Sequence, residues 1–248
     1  MVGVLYTQTP SNAILDARIF APKPSEVATP VYVTVTIAPF PNLSRGGVEL
    51  AAALPRARFS NDVIVLAIVS AGVPAAVEIA KQLEAPLDLV IIRRLLAPQG
   101  PGSQAAAVTA AGTLVVDDEV GPRPAKPQTP LDYFLEDALN ALALRTQLCR
   151  GERTPIELAG KPILIVDCAM RTGLTMKAAI GAVRILNPAS ITAAVPVTSD
   201  DGRRAIEPLA DELIYLAAPE PFGNAGVWYK DFRRMADDAI SQLLRPQS

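Results

Sequence analysis

Asp167, Thr172, Gly173 and Thr175 fall within one short stretch, Ile163 to Thr175 (ILIVDCAMRTGLT), in an order that suits a phosphorylated ligand. Ile163 to Val166 is uniformly apolar, as in a parallel strand covered on both faces. It ends in the carboxylate of Asp167, the point at which α/β sheets place their ligands. Thr172-Gly173-Leu174-Thr175 then opens a helix whose first amides have no partner within the helix and carry the positive end of its dipole. Gly173 allows backbone to approach an anion, and the two threonines add hydroxyl donors. An ordinary capped strand-to-helix turn is the plainer alternative for the same spacing. The chain has no histidine, so Ser-His-Asp and Cys-His mechanisms and His-ligated metals are excluded. What remains is chemistry by carboxylates, Lys or Arg, hydroxyls and backbone amides, with a hard cation such as magnesium compatible with that inventory.

Composition narrows the setting of that stretch. Half of the 248 residues are hydrophobic and 19% are charged, which predicts a packed globular chain with buried strands. A net charge of -2 with scattered basic residues gives no footprint for nucleic acid. Apolar runs such as Val63 to Val69 stop short of the roughly 18 to 20 residues of a membrane span, so no membrane partner is expected. The N-terminus lacks a basic region followed by an apolar one, and a cytoplasmic location follows by default. Cys149 and Cys168 are too few and too far apart for a disulfide framework or a thiolate zinc site.

The elements that must position the candidate residues alternate. Val31 to Ile37 alternates as a half-buried strand within an N-terminal extension, residues 1–40. Ser44 is placed to cap a helix through Leu54, with Gly46 and Gly47 weakening its first turn. A strand from Asp62 to Val69, a turn at Ser70-Ala71-Gly72, a helix from Pro74 to Leu83 and a strand from Leu87 to Ile92 make a βαβ unit, whose crossover should be right-handed. Ala97 to Gly102 reads as a loop, and Ala105–Ala110 with Thr113–Val116 as a hairpin turning near Gly112. After a proline-rich connector, Thr129 caps a long helix to Cys149, with Leu131, Phe134, Leu135, Ala138, Leu139 and Leu142 as its core stripe. The second half continues with strand Pro162–Asp167, helix Leu174–Leu186, strand Ile191–Val197, helix Gly202–Leu209, strand Glu212–Ala217 and helix Asp231–Leu244. The pattern predicts a doubly wound, mainly parallel α/β domain with a small hairpin or hood element.

VDCAMRTGLTM, from Val166 to Met176, resembles the phosphoribosyl-diphosphate motif of type I phosphoribosyltransferases: four apolar residues, two acids, a spacer and T-G-x-T. IVSAGVPAAVEIAKQLEAPLDLVIIRRLLAP, from Ile68 to Pro98, is similar to the L-P-R-G-G-V-P, A-x-x-L-x-A-P-L-D and R-K-L-x-x-P elements of a bacterial group of that family. PEPFGNAGVWYKDF, from Pro219 to Phe232, is similar to the group's P-x-x-F-x-x-V-G-x-W-Y-x-D-F signature. The resemblance implies a Rossmann-like phosphoribosyltransferase domain over residues 41–248. It also implies transfer of a phosphoribosyl group from phosphoribosyl diphosphate (PRPP) to a nitrogen nucleophile, within nucleotide metabolism. It implies Mg2+ as cofactor, with no direct protein ligand and Asp167 reaching it through water. Asp167 would contact the ribose hydroxyls. Ala169, Met170, Arg171, Thr172, Gly173, Leu174 and Thr175 would cradle the 5′-phosphate, and Ser70, Ala71 and Gly72 would receive the diphosphate.

Two elements depart from the motif. Cys168 stands where the second acid is usual, and Ser70 and Ala71 stand where arginine and glycine are. Arg93 and Arg94, at the end of a strand, are candidates for restoring positive charge to a diphosphate or nucleotide, while Trp228 and Tyr229 read as packing residues. A second reading therefore stays open beside the transferase: a nucleotide- or sugar-phosphate-binding, or regulatory, module of the same fold without transfer. The acceptor and the oligomeric state, a homodimer included, are left open by the sequence.

Overall fold

Ile64–Ile68 and Pro162–Val166 lie side by side at the centre of a parallel sheet because neither has a polar face to offer water. Alternate side chains of both enter opposite cores. Val65, Ala67, Leu164 and Val166 join one cluster, and Ile64, Leu66, Ile163 and Ile165 join the other. The computed structural model describes residues 4–8, 15–19, 31–32, 39–56, 59, 62–96, 104–110, 114–116 and 130–244. In chain order the elements are β1 (Val4–Gln8), β2 (Leu15–Ile19), β3 (Val31–Tyr32), β4 (Phe40–Asn42), α1 (Leu43–Ala53), β5 (Ile64–Ile68), α2 (Val73–Leu83), β6 (Leu87–Val90), β7 (Ile92–Leu96), β8 (Gln104–Thr109), β9 (Leu114–Val116), α3 (Pro130–Arg150), β10 (Pro162–Val166), β11 (Ala169–Met170), α4 (Leu174–Arg184), β12 (Ser190–Thr198), α5 (Asp200–Ile206), β13 (Glu212–Ala217), β14 (Tyr229–Asp231) and α6 (Asp237–Leu243).

The parallel sheet runs β3-β13-β12-β10-β5-β6, with β11 pairing β12 outside that path. Winding proceeds one way from β5 to β6 and the other way from β10 to β12 and β13, so the order reverses between β5 and β10. That is the switch point at which doubly wound sheets open a ligand crevice. A second, antiparallel sheet, β2-β1-β9-β8-β7, contains the expected hairpin and recruits β1 and β2. The expected single strand from Leu87 to Ile92 is in fact broken at Ile91: β6 ends in the parallel sheet and β7 starts the antiparallel one. The Gly112 turn, the Thr129 cap, the Ala97–Gly102 loop, the proline-rich connector and the strand beyond Tyr32 lie outside the described residues.

Several boundaries differ for local reasons. Asn42, not Ser44, caps α1: its side chain accepts from Arg45 N at 2.8 Å, the geometry that makes Asn a preferred cap. Gly46 and Gly47, expected to weaken α1, are what lets it pack, since a Cβ on Gly47 would stand 2.4 Å from Ala75 Cα of α2. α5 starts at Asp200 rather than Gly202 because Ser199 caps it, accepting from Gly202 N at 2.9 Å. The final helix begins at Asp237, not Asp231, because Tyr229–Asp231 is drawn into a parallel pair with Phe40–Asn42. In α3, Ala138 and Leu142 are buried as expected of the stripe, and Leu139 is partly so.

Candidate functional site

A cavity of about 530 Å³ opens at the carboxyl ends of β5 and β10, at the switch point. Ser70 and Ala71, Arg93 and Arg94, Asp167, and all of Ala169 to Thr175 line it together. Elements nearly 100 residues apart in sequence thus converge on one cavity. Gly72 does not line the cavity; it sits behind it as a spacer. A Cβ there would stand 2.7 Å from both Ile68 O and Val166 O and 3.0 Å from Asp167 Cα, so only glycine lets the β5 turn approach the end of β10 this closely. The Val69–Ser70 peptide in that turn is cis.

The Ala169–Thr175 loop divides its labour. Met170 and Leu174 bury their side chains in the core cluster that includes α4 and Ile206, and so offer the cavity mainly backbone. Gly173 caps α4 with φ +75°, which no other residue type adopts as readily, and the first residues of α4, Leu174, Thr175 and Met176, line the cavity with amides that have no helical partner. The far side is tied down by two residues that sequence reasoning missed. Ser199 N donates to Met170 O at 2.8 Å and its hydroxyl to Arg171 O, while Thr198 Oγ1 donates to Met170 O at 3.2 Å. The Ser199-Asp200-Asp201 run, a cap followed by first-turn acids, is a signal that could have found this.

Asp167 is half-buried at the end of β10, and its Oδ1 accepts from Cys168 N at 2.7 Å. Burial pushes its carboxyl up to about 6, against the opposing pull of the Cys168 amide and of the Arg94 and Arg234 guanidinia. Folding therefore keeps this proton to higher pH than the unfolded chain does, and the cost of ionising Asp167 in the fold develops between about pH 4 and pH 6 and is fully present above. Relative to Asp167→Asn, the parent should lose on the order of 2 kcal/mol of stability between about pH 4.5 and about pH 7.5. Urea midpoints of both proteins at the two pH values measure this, and a constant difference would mean that the carboxyl is not desolvated.

Cys168 is buried, and burial together with the Asp167 charge pushes its thiol well above its ordinary range. It is a neutral thiol and supplies no second carboxylate. Its carbonyl accepts from the Tyr229 hydroxyl at 2.5 Å. Tyr229 packs on Phe40 and Phe232, with ring centroids 5.5 and 5.6 Å away, and Trp228 Nε1 donates to Phe222 O at 3.0 Å. Both aromatics pack, as expected. Tyr229 in addition pins the segment that brings Asn224, Phe232 and Arg234 to the cavity wall; Phe232 closes the Pro219–Phe232 signature, while Asn224 and Arg234 carried no sequence signal of their own. Arg145 of α3 also lines the cavity, but it is engaged by Asp237 at 2.9 Å. Among the described residues no group of three His, Cys, Asp or Glu side chains is arranged to hold a metal, and no helix is long and apolar enough to cross a membrane.

The cavity thus sits where doubly wound sheets open a ligand crevice, and similarity to known proteins specifies the family. The phosphoribosyl transferase domain model matches residues 36–222. Two proteins of Mycobacterium tuberculosis strains, CDC 1551 / Oshkosh and ATCC 25618 / H37Rv, provisionally named as phosphoribosyl transferases, are each 34% identical over 182 residues. The match covers 73% of this chain and 41% of each relative. A solved structure from Thermus thermophilus superposes with a TM-score of 0.70 at 28% identity, covering 84% of this chain and 98% of that one. The chain belongs to the phosphoribosyl transferase domain family.

Proposed function

We propose that the switch-point cavity binds the 5-phosphoribosyl group of PRPP and that the chain transfers it to a nitrogen nucleophile. The observation that carries this reading is the convergence of the Ser70-Ala71 turn, Asp167 and the Ala169–Thr175 loop on one cavity. The α4 amides and the Thr172 and Thr175 hydroxyls take the 5′-phosphate. Ionised Asp167 accepts from the ribose hydroxyls and, once the ligand excludes water, stabilises positive charge developing at the anomeric carbon. Ser70, Ala71 and the β7 arginines, Arg93 and Arg94, face the diphosphate.

The donor set suits magnesium in one particular way. A single carboxylate in the cavity wall matches an ion that keeps several waters and is held mainly by substrate phosphates, with Asp167 touching it through water. When bound, magnesium neutralises charge on the departing diphosphate. A second reading, a sugar-phosphate-binding module without transfer, is favoured by the neutral Cys168 at the second acid position.

Calorimetric titration separates the two. With Mg2+ present, PRPP should bind at least about tenfold more tightly than ribose 5-phosphate, since one charge-assisted contact to diphosphate contributes roughly 1.5 to 3 kcal/mol. Equal affinities would favour the binding module, and failure of both ligands to bind at millimolar concentration would remove both readings.

A further inference from the structure

Arg93, Arg94, Arg171 and Arg234 all line the cavity, all are exposed, and none is ion-paired with an acid among the described residues. Among those residues the one acid in the cavity wall is Asp167. Like-charged guanidinia gathered without partners repel one another, so the arrangement is suited to an anion they jointly bind. Two of the four are distinguished by their position: Arg94 and Arg234 are the cations whose charge reaches Asp167. They come from different elements, Arg94 from β7 and Arg234 from the segment after β14. Arg171 instead belongs to the loop assigned to the 5′-phosphate.

Arg234 is held near the cavity by a short chain of contacts. Its Cζ lies 5.9 Å from the Phe232 ring centroid, Phe232 packs on Tyr229, and Tyr229 donates to the carbonyl next to Asp167. Its neighbour Arg233 is occupied instead by Asp231 at 2.6 Å and does not line the cavity. Arg234 also lies beyond residues 36–222, the stretch matched by the family model.

We propose that Arg234, with Arg94, supplies the cationic grip on the diphosphate that the neutral Ser70-Ala71 turn lacks, making Arg234 a specificity-determining residue that selects PRPP over simple ribose 5-phosphates. This rests on the phosphoribosyl reading of the cavity. The guanidinium fork matches paired phosphate oxygens, so a residue distant in sequence takes over the function of a missing loop arginine.

The test compares Arg234→Gln, Arg233→Gln and the parent protein by calorimetry with three probes: PRPP with Mg2+, inorganic diphosphate with Mg2+, and ribose 5-phosphate. Arg234→Gln should weaken PRPP and diphosphate at least about tenfold, as expected for loss of one charge-assisted contact, and leave ribose 5-phosphate within about twofold. Arg233→Gln should change none of them. The inference is overturned if Arg234→Gln binds PRPP as the parent does, or if PRPP and ribose 5-phosphate weaken equally. If the parent itself binds none of the probes, the phosphoribosyl reading has failed before Arg234 is tested. Both arginines are exposed, so the variants should fold, and unchanged circular dichroism and melting temperature verify it.

Discussion

Gly173→Val should abolish measurable binding of ribose 5-phosphate, a loss of about 100-fold or more, while leaving a cooperatively folded protein. Gly173 holds φ +75°, where an L-residue costs roughly 1–2 kcal/mol and a β-branched one is a severe outlier. A Cβ there would also stand 3.1 Å from Ala205 Cβ and 3.2 Å from Ile206 Cγ1 of α5. The loop would therefore be pushed off α5, and the amides at the start of α4 would lose their alignment. Losing two charge-assisted contacts at roughly 1.5 kcal/mol each accounts for about 100-fold. The new side chain acts through α5 rather than by filling the cavity, so Gly173→Ala should show a smaller loss of the same kind. Calorimetry with ribose 5-phosphate and a urea melt of each variant measure the two effects separately. Parent-like affinity in the valine variant would reduce the loop to a simple turn.

Asp88→Ala should cost about 3–5 kcal/mol of stability, the range for removing one partner of a buried ion pair. Asp88 is 2% exposed at β6. Its Oδ1 accepts from Leu89 N at 2.8 Å and its Oδ2 from Ile156 N at 2.9 Å. Arg150 Nη1, at the end of α3, stands 2.7 Å from Oδ1 but is poorly aligned for a hydrogen bond, so its contact is mainly one of charge. Truncating Asp88 strands that guanidinium with, among the described residues, the Leu89 carbonyl, 3.0 Å from Nη2, to hold it. Adding Arg150→Met to the variant should recover a large part of the loss, because an apolar side chain needs no counter-charge. Urea unfolding of the single and double variants measures this, and a loss under about 1 kcal/mol for Asp88→Ala would show that water reaches the pair.

The same Asp88 shows how far the sequence could be read. The A-P-L-D element was visible as a resemblance, but its partner Arg150 lies far along the chain, at the end of a helix recognised only by its apolar stripe. Elements governed by local patterning were legible. β5 and β10 declared themselves by unbroken apolar runs, β13 was placed at its observed limits, and the start of α4 at Leu174 was placed correctly, while the two-residue β11 inside the loop was not seen. What local patterning does not determine was missed. β4 and β14 are three residues each and have too little length for a period; only their mutual pairing makes them strands. Ile91 looks like the interior of one strand because its neighbours on both sides, Val90 and Ile92, are apolar and buried as it is. Arg234 was silent for a further reason: an exposed arginine is indistinguishable in sequence from a solvated one until the fold brings a carboxylate and four other guanidinia to the same cavity.

The pairing of Tyr229–Asp231 with Phe40–Asn42 has a consequence for the order of events in folding. It closes a loop of nearly 190 residues, and closure entropy of that kind is recovered only once the intervening sheet has formed. The β6-β5-β10-β12-β13 part of the parallel sheet and the loop before α4 depend on nearer contacts and can assemble during synthesis, when N-terminal parts fold first. A growing chain would thus possess the loop proposed to take the phosphate end of the ligand, and Arg94, before it possesses Arg234, the other arginine proposed to grip the diphosphate end. Selectivity, on this view, is the last property the molecule acquires.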